Sequence, residues 1–313
     1  MKTQLLGNSS LLSTRLAYGC WRLVGTWEPR EVTPDRIDQG RRACAAAYEA
    51  GYTLFDNADV YCRGVCETVL GNSLKDVPGM RQRILIATKC GIRFTGDPTP
   101  DAPQRYDFSA KHILWSCEQS LNRLGIETID LYQLHRPDVL MDPHEVAQAF
   151  DQLRRQGKAR EFGVSNFSPS SLAALAKFCP MPLIVNQVEI HLGRLNCFTD
   201  GTLDQCLQNK MTPLAWSPLG GGWLAEGKID PTDPRKKFKS DLLTVLKEIA
   251  GKYAVPHNVL AMAWLMKHPS GIIPIVGSNK PDRIREAAMA DNVNLSREDW
   301  YRLFVAARGE PMP

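Results

Sequence analysis

The sequence has no long hydrophobic run, since no stretch reaches the roughly 18 apolar residues that a membrane-spanning helix needs. At the N-terminus, Leu5 and Leu6 are followed at once by Gly7 and polar residues. This apolar segment is too short for the core of a signal peptide. We therefore expect a soluble, cytoplasmic protein without a membrane partner.

Clusters of one charge sign are also missing. The formal net charge is +4, and lysine and arginine are spread along the chain without a basic run or a basic–aromatic block. A nucleic-acid interface requires a concentrated positive patch, so this distribution argues against nucleic acid as a partner. The oligomeric state leaves no signal of its own in the sequence.

Paired-cysteine motifs are absent, although the chain has nine cysteines. Their number is odd, and several lie in predicted helices or strands. Reduced thiols in the core of a cytosolic protein are the interpretation that we favour. A site formed by Cys62, Cys66 and a histidine is the alternative, but this spacing matches no common zinc motif, and we expect no metal.

Short apolar runs alternate with amphipathic helical segments along the whole chain. Eight such runs are predicted strands, at residues 16–20, 52–55, 84–89, 129–134, 160–165, 183–188, 213–216 and 272–276. No long linker divides them. The pattern predicts one domain over residues 1–313, an α/β fold in which the strands close into a (β/α)8 TIM barrel and not an open doubly wound sheet.

Helix ends are marked by capping residues, among them Thr33 before Pro34, Ser109 and Asp142. We expect Ser240 to cap the helix that follows the seventh strand. Additional helices are predicted at residues 255–268 and after Ser296. The first ten residues suggest a short hairpin that plugs one end of the barrel.

Three predicted loops, at residues 93–107, 193–199 and 219–239, follow strands and therefore lie at the carboxyl ends of the strands. Loops at that end build the functional site in this architecture. The last is the longest, and loops above about 12 residues are usually functional lids or disordered. Trp223 and Leu224 would give such a lid a contact surface.

Four polar residues at or near strand ends could carry proton-transfer chemistry. Asp56 and Lys89 end the second and third predicted strands, Tyr61 follows five residues after Asp56, and His135 follows the fourth strand. We expect an Asp56–Lys89 ion pair. The ammonium would lower the phenol pKa of Tyr61 from its usual value of about 10, which would make the phenol an acid near neutral pH. His135 would orient a carbonyl oxygen.

Each of these residues alone has a purely structural explanation. Tyr61 could be a packing residue, His135 could cap a loop, and Lys89 could belong to a structural ion pair. Their coincidence at the ends of neighbouring strands is what favours a functional site.

The segment 276–283, between the eighth strand and its helix, suits a phosphate group. TIM barrels often bind phosphate after strands seven and eight, and Ser278 and Arg283 would donate hydrogen bonds there. Alternatively, Arg283 is a solvated helix residue.

A planar amide would fit the ends of strands five and six, where Ser165, Asn166 and Gln187 lie. Trp216, at the end of strand seven, could stack on an aromatic ring or simply fill the barrel top. The run Gly220–Ala225 fits G-x-G-x-x-A, but a dinucleotide motif needs a helix there, and Gly227 and two prolines argue against it.

Taken together, these segments resemble the aldo-keto reductase superfamily, and within it a group of bacterial oxidoreductases. The resemblance covers nearly the whole chain. Its matching segments are 55–61, 88–89, 130–135, 163–167, 186–187 and 216–219.

The resemblance implies reduction of aldehydes or ketones by NADP(H), bound without a Rossmann motif. It implies Tyr61 as general acid, Lys89 and Asp56 as the pair that tunes it, and His135 for substrate orientation. The implied cofactor-binding residues are Gly19, Cys20, Trp21, Asp56, Ser165, Asn166, Gln187, Trp216, Ser217, Pro218, Leu219, Gly220, Gly277, Ser278 and Arg283. The implied substrate contacts are Trp21, Tyr61, His135 and Trp223, with Trp27 nearby.

Three departures from the family pattern are visible. Many members have lysine where this chain has Gly277, a polar amide where it has Ala287, and threonine where it has Asn57; the first two weaken the expected preference for NADP over NAD. Two other functions stay open at this point. One is a regulatory or redox-sensing module that binds NADP(H) with poor turnover, and the other is a Schiff-base aldolase that uses Lys89.

Overall fold

The computed structural model describes residues 1–313, and eight parallel strands in it close into a barrel. Every strand pairs with its neighbours in the sequence, and the eighth pairs with the first. The strands are β1 (Ala17–Gly19), β2 (Leu54–Asp56), β3 (Leu85–Cys90), β4 (Ile129–Leu134), β5 (Ala159–Ser165), β6 (Leu183–Glu189), β7 (Thr212–Trp216) and β8 (Ile273–Val276). The predicted TIM barrel is thereby confirmed. These strands read as continuous apolar runs because helices cover the outer face of a parallel barrel.

Helices follow the strands in the expected alternation. They are α1 (Pro34–Glu49), α2 (Val65–Asp76), α3 (Ala110–Leu124), α4 (Pro143–Arg155), α5 (Pro169–Ala176), α6 (Thr202–Gln208), α7 (Lys236–Lys252), α8 (His257–Met266), α9 (Pro281–Ala287) and α10 (Arg297–Arg308). The side chains of Thr33, Ser109 and Asp142 each accept a hydrogen bond from a backbone N–H in the first turn. The predicted caps are therefore correct at these three helices. No helix is both long and apolar enough to cross a bilayer.

Ser240 is the exception among the predicted caps. It lies inside α7, which begins one turn earlier at Lys236. Lys239 pairs with Asp233, and its Nζ lies 5.2 Å from the centre of the Trp223 ring. These contacts of Lys239 stabilise the first turn of α7. The basic sequence of that turn has few apolar residues and therefore did not predict a helix there.

Both predicted additional helices exist, but they have different positions in the fold. Helix α8 contacts β8 and α9 and therefore belongs to the layer around the barrel. Helix α10 instead packs against α7. Helices α7 and α10 are thus the pair that is added outside the barrel. Leu246, Leu303 and Trp264 are buried where this pair packs against α8.

The N-terminal hairpin, Thr3–Leu5 paired with Leu12–Thr14, closes one end of the barrel as predicted. Its turn buries Leu6 and Leu11 against residues of the barrel interior. Gly7 has φ +53°, and a Cβ there would lie 2.3 Å from the carbonyl oxygen of Ile184, so only glycine fits. With this end filled, the opposite, carboxyl-terminal mouth is where polar side chains collect.

Candidate active site

The register of the strands brings the predicted site residues to one mouth. Asp56 is opposite Ala87, Lys89 is opposite Gln133, and Gln187 is opposite Ser165. Asp56, Lys89, Ser165 and Gln187 are all at or within two residues of the carboxyl end of their strand. Side chains far apart in the sequence therefore share a small volume.

Tyr61 reaches this mouth from a short 3-10 turn after β2, Tyr61–Gly64. The next two residues, Cys62 and Arg63, have φ values of 47° and 51°, and Gly64 has 89°. Left-handed backbone at residues other than glycine costs of order 1–3 kcal/mol each and persists only where the surroundings enforce it. The turn directs the chain from β2 into α2 while Tyr61 stays over the barrel end.

Lys89 is the centre of the site and is fully buried. Its Nζ donates hydrogen bonds to Asp56 Oδ2 at 2.8 Å, to the Asn57 carbonyl oxygen at 2.7 Å and to Tyr61 Oη at 3.1 Å. An ammonium has three donors, so all of them are used.

Asp56 is equally well satisfied, because its second oxygen, Oδ1, accepts from Gln187 Nε2 at 2.8 Å. Burial alone would lower the pKa of Lys89, but the negative charge of Asp56 and the hydrogen bonds outweigh it and raise that pKa. Lys89 is thus a fixed positive charge at neutral pH.

The phenol of Tyr61 behaves differently from the expectation. Burial raises its pKa to about 12, although Lys89 acts in the predicted, lowering direction. Desolvation penalises the phenolate more than one neighbouring ammonium stabilises it, because Asp56 cancels part of that positive charge. Tyr61 is consequently protonated at neutral pH and is able to donate its proton.

His135 lies beside Tyr61, with ring centroids 5.8 Å apart in an edge-to-face arrangement. Burial, together with the charges of Lys89 and Arg136, holds its pKa well below the usual range, so the imidazole is neutral. Its Nδ1 is buried without a hydrogen-bond partner. A buried polar atom without a hydrogen-bond partner is uncommon in a folded protein and needs an explanation.

The predicted amide-binding group is also assembled. Ser165 Oγ donates to the Gln187 carbonyl oxygen at 2.9 Å, and Asn166 Nδ2 donates to Ser165 Oγ at 2.8 Å. Asn166 Oδ1 accepts from Trp216 Nε1 at 3.0 Å. This chain of hydrogen bonds fixes the Trp216 ring at the mouth.

After β7, the backbone of residues 217–222 forms an open cradle. Ser217 has φ 49°, and Gly220, Gly221 and Gly222 all have positive φ. A Cβ added at Gly221 or Gly222 would meet nothing within 4 Å, so the backbone there is accessible. The N–H groups of Gly220 and Gly222 are already used within this turn, because they donate to the carbonyl oxygens of Ser217 and Leu219 at 2.8 and 3.0 Å. The pyrophosphate contact of Ser217, Leu219 and Gly220 therefore stays a prediction.

The segment predicted to hold a phosphate after β8 has partners of its own. Ser278 Oγ accepts from the backbone N–H of Lys280 at 3.2 Å, and the Ser278 carbonyl accepts from Tyr18 at 3.1 Å. Arg283 is half exposed and lies 3.5 Å from Glu226 Oε1, at the end of the short helix Trp223–Glu226. Helical structure directly after the glycine run was not expected.

Gly277, one of the departures from the family pattern, has a structural explanation. A Cβ at this position would lie 2.9 Å from Trp21 Nε1. The indole of Trp21 therefore occupies the space that a larger residue would need. Gly19 and buried Cys20 lie next to it, where a Cβ on Gly19 would be 2.7 Å from Ile275 Cγ2.

Aromatic rings line one side of the mouth. Trp21 and Trp27 have centroids 5.4 Å apart, and Trp27 lies edge-on to Tyr61 at 6.1 Å. Trp223, a predicted substrate contact, packs against the loops after β6 and β7, since a Cβ on either Gly193 or Gly220 would collide with its ring.

One charged residue at the mouth, Arg136, was not predicted. Its guanidinium carbon lies 5.3 Å from the centre of the Trp216 ring. Its place in the sequence could have indicated this position, because Arg136 directly follows His135, which itself follows the end of β4.

The chain is similar to known proteins along nearly its whole length. The sequence model of the Aldo/keto reductase family matches residues 15–305. The 6-dehydroglucose reductase of Novosphingobium aromaticivorans is 40% identical over 314 residues, covering 98% of this chain and 96% of that protein. The oxidoreductase YdhF of Escherichia coli is 40% identical over 301 residues, covering 96% and 95%.

Solved structures show the same fold. The glycerol dehydrogenase of Gluconobacter oxydans matches with a TM-score of 0.87 at 26% identity, covering 99% of this chain and 97% of that one. The family match spans all eight strands of the barrel, and both relatives align along nearly their whole length. The chain therefore belongs to the aldo/keto reductase family of oxidoreductases, a family that uses nicotinamide cofactors.

Proposed function

We propose that the protein reduces aldehyde or ketone carbonyls to alcohols with NADPH, and that Tyr61 is the general acid. The observation that carries this proposal is the contact of Lys89 Nζ with both Asp56 and Tyr61 at the barrel mouth. A protonated phenol beside a fixed ammonium and a neutral imidazole suits protonation of a developing alkoxide.

The cofactor would be held by the groups on both sides of β7. Ser165, Asn166 and Gln187 would bind the carboxamide, and Trp216 would stack on the nicotinamide. Ser217, Leu219 and Gly220 would line the pyrophosphate, and Ser278 and Arg283 would bind the 2′-phosphate. When bound, NADPH supplies the hydride that reaches the carbonyl carbon.

The hydrogen-bond directions define what Tyr61 does. Lys89 donates to Tyr61 Oη, so the hydroxyl proton of Tyr61 is not used in that bond. This proton can be given to a carbonyl oxygen, and the phenolate that remains is stabilised by the ammonium. Neutral His135 would donate to the same oxygen and orient the carbonyl.

The aldolase alternative is not supported by this geometry. A Schiff base requires an uncharged amine, whereas Asp56 and the other contacts hold Lys89 as an ammonium with a raised pKa. The three donors of Lys89 are also occupied, which leaves no lone pair directed at a carbonyl.

The test is to follow NADPH absorbance with purified protein and a panel of aldehydes, ketones and quinones. Sugar aldehydes belong in the panel because a relative that is 40% identical is named a 6-dehydroglucose reductase. We expect oxidation of NADPH with at least one aldehyde and loss of that activity in Tyr61→Phe. Tight NADPH binding with no turnover across the panel would contradict the proposal and favour the regulatory module.

A further inference from the structure

Arg136 is a half-buried cation for which the described reaction has no use. It follows His135 directly, and its guanidinium lies over the ring of Trp216. No carboxylate forms an ion pair with it, and no acceptor within the chain takes a hydrogen bond from it. Charged groups that lose part of their hydration are normally paired, so an unpaired one beside an active site needs a reason.

The acidic side chains nearby are already engaged. Asp138, two residues further on, accepts hydrogen bonds from the backbone N–H groups of Phe108 and Leu140. Asp56 is shared by Lys89 and Gln187. Neither of these two carboxylates forms an ion pair with the guanidinium.

The rest of the catalytic group has little net charge of its own. Asp56 and Lys89 form a buried ion pair, and burial and the nearby cations keep His135 uncharged. Arg136, which acts electrostatically on His135, is therefore a charged residue beside this group that has no ion-pair partner. A cation at the rim of a partly desolvated cleft attracts anions and orients them.

We propose that Arg136 is a specificity-determining residue that binds an anionic group, carboxylate or phosphate, of the carbonyl substrate. The proposal rests on the proposed reductase function, because it assumes that the carbonyl lies between Tyr61 and His135. A guanidinium matches the planar oxygens of either anion and can bind two of them at once.

Stacking on Trp216 supports this role. Cation–π contact with an indole holds the guanidinium in place without using its N–H donors. Trp216 itself is fixed by its hydrogen bond to Asn166, whose Nδ2 donates to the His135 carbonyl oxygen. One rigid set of contacts thus links the proposed anion-binding group to the proposed carbonyl-orienting group.

The test compares kcat/KM for two matched substrate pairs, 4-carboxybenzaldehyde against benzaldehyde and glyceraldehyde 3-phosphate against glyceraldehyde. We expect the wild-type protein to prefer the charged member of at least one pair, and the pair affected identifies the anion. Arg136→Gln should reduce that preference about tenfold to a hundredfold, mainly through KM, as expected for one charged hydrogen-bonding partner. Arg136→Lys should restore part of it.

Arg22→Gln is the matched control. Arg22 also stacks on an indole at this end of the barrel, 4.4 Å from the centre of the Trp21 ring, but it is exposed. We expect this variant to keep the wild-type preference. An equal loss of preference in the Arg22 variant would show general steering by surface charge and would overturn the assignment to Arg136.

Two further measurements separate the proposal from its alternatives. A comparable loss of NADPH affinity in Arg136→Gln would assign the guanidinium to the cofactor and overturn the proposal.

If no aldehyde is reduced, titration of the protein–NADP⁺ complex with 4-carboxybenzyl alcohol and benzyl alcohol still tests anion binding. Tighter binding of the charged alcohol, lost in Arg136→Gln, would support Arg136 while the reductase proposal fails; equal binding would overturn Arg136 as well.

Discussion

Lys89 Nζ donates a hydrogen bond to the hydroxyl oxygen of Tyr61, 3.1 Å away, at the carboxyl-terminal mouth of the barrel. The lysine is held there by two other acceptors, Asp56 and the carbonyl of Asn57. Tyr61 therefore keeps its proton available on the side away from Lys89. The pKa of Tyr61 depends on burial, which raises it, and on the charge of Lys89, which lowers it. The first two predictions below follow from these opposing effects.

Tyr61→Phe should lower kcat about 10²–10⁴-fold while NADPH binding changes little. The reason is that the hydroxyl acts on the substrate oxygen, whereas most of the predicted cofactor contacts lie at other strands and their loops. Steady-state kinetics and a fluorescence titration with NADPH measure the two effects. A variant that keeps more than about half of the wild-type turnover, with the chemical step rate-limiting, would remove Tyr61 from the mechanism.

Lys89→Met should also be severely impaired, and its kcat/KM profile should show the acidic group titrating at higher pH. Burial already raises the pKa of Tyr61 to about 12, and Lys89 is the group that opposes this rise. Removing the ammonium leaves the phenolate without its stabilising charge. Asp56→Asn should be milder because the charge of Lys89 remains. A Lys89→Met variant that keeps more than about half of the wild-type kcat/KM would refute this explanation.

Arg283→Ala should weaken NADPH binding and leave NADH binding almost unchanged, because only NADPH has the 2′-phosphate. A charged hydrogen bond corresponds to roughly a tenfold to hundredfold preference, and we expect the lower part of that range since Gly277 replaces the usual lysine. Fluorescence titration with both cofactors checks this. Equal losses for both would show that Arg283 contacts the shared pyrophosphate or only supports the fold.

Glu226→Gln is the complementary variant, because Glu226 pairs with the guanidinium of Arg283. An exposed pair of this kind contributes about 0–1 kcal/mol, so its removal should strengthen NADPH binding by at most about fivefold. Weaker NADPH binding in this variant would instead indicate that the pair organises the loop after β7.

Asp59 should make stability depend on pH. Burial raises its pKa from 3.8 to about 7, and the hydrogen bond from Ser116 Oγ opposes the rise only partly. Because the pKa of Asp59 is higher in the folded than in the unfolded protein, the protonated carboxyl favours the folded state. This contribution to stability is complete below the unfolded-state pKa and is lost as the pH rises through the folded-state pKa of about 7. One such proton changes the free energy of unfolding by at most about 1.4 kcal/mol per pH unit. Urea unfolding of wild type and Asp59→Asn at pH 5 and 7.5 should show a larger loss for wild type, and parallel losses would contradict the assignment.

The sequence by itself determined the barrel and most of the candidate site. Strand and helix positions followed from local patterns: apolar runs of strand length, and caps such as Ser109 that act within one turn. Because parallel strands of a barrel end at one mouth, a residue's place at a strand end was enough to bring Asp56, Lys89 and His135 together. The strands, the helix caps and the place of each site residue are therefore properties of short segments. The only further information needed is that parallel strands of a barrel all end at the same mouth.

Only the tertiary structure decided the balance of charges and the partners across the chain. The net rise in the pKa of Tyr61 depends on how completely the phenol is buried, and the pairing of Arg283 with Glu226 joins residues 57 positions apart. The contact of Arg136 with the Trp216 ring likewise joins two residues that are far apart in the sequence. Desolvation and pairing are set by every neighbour in space at once, and sequence patterns describe only the neighbours along the chain.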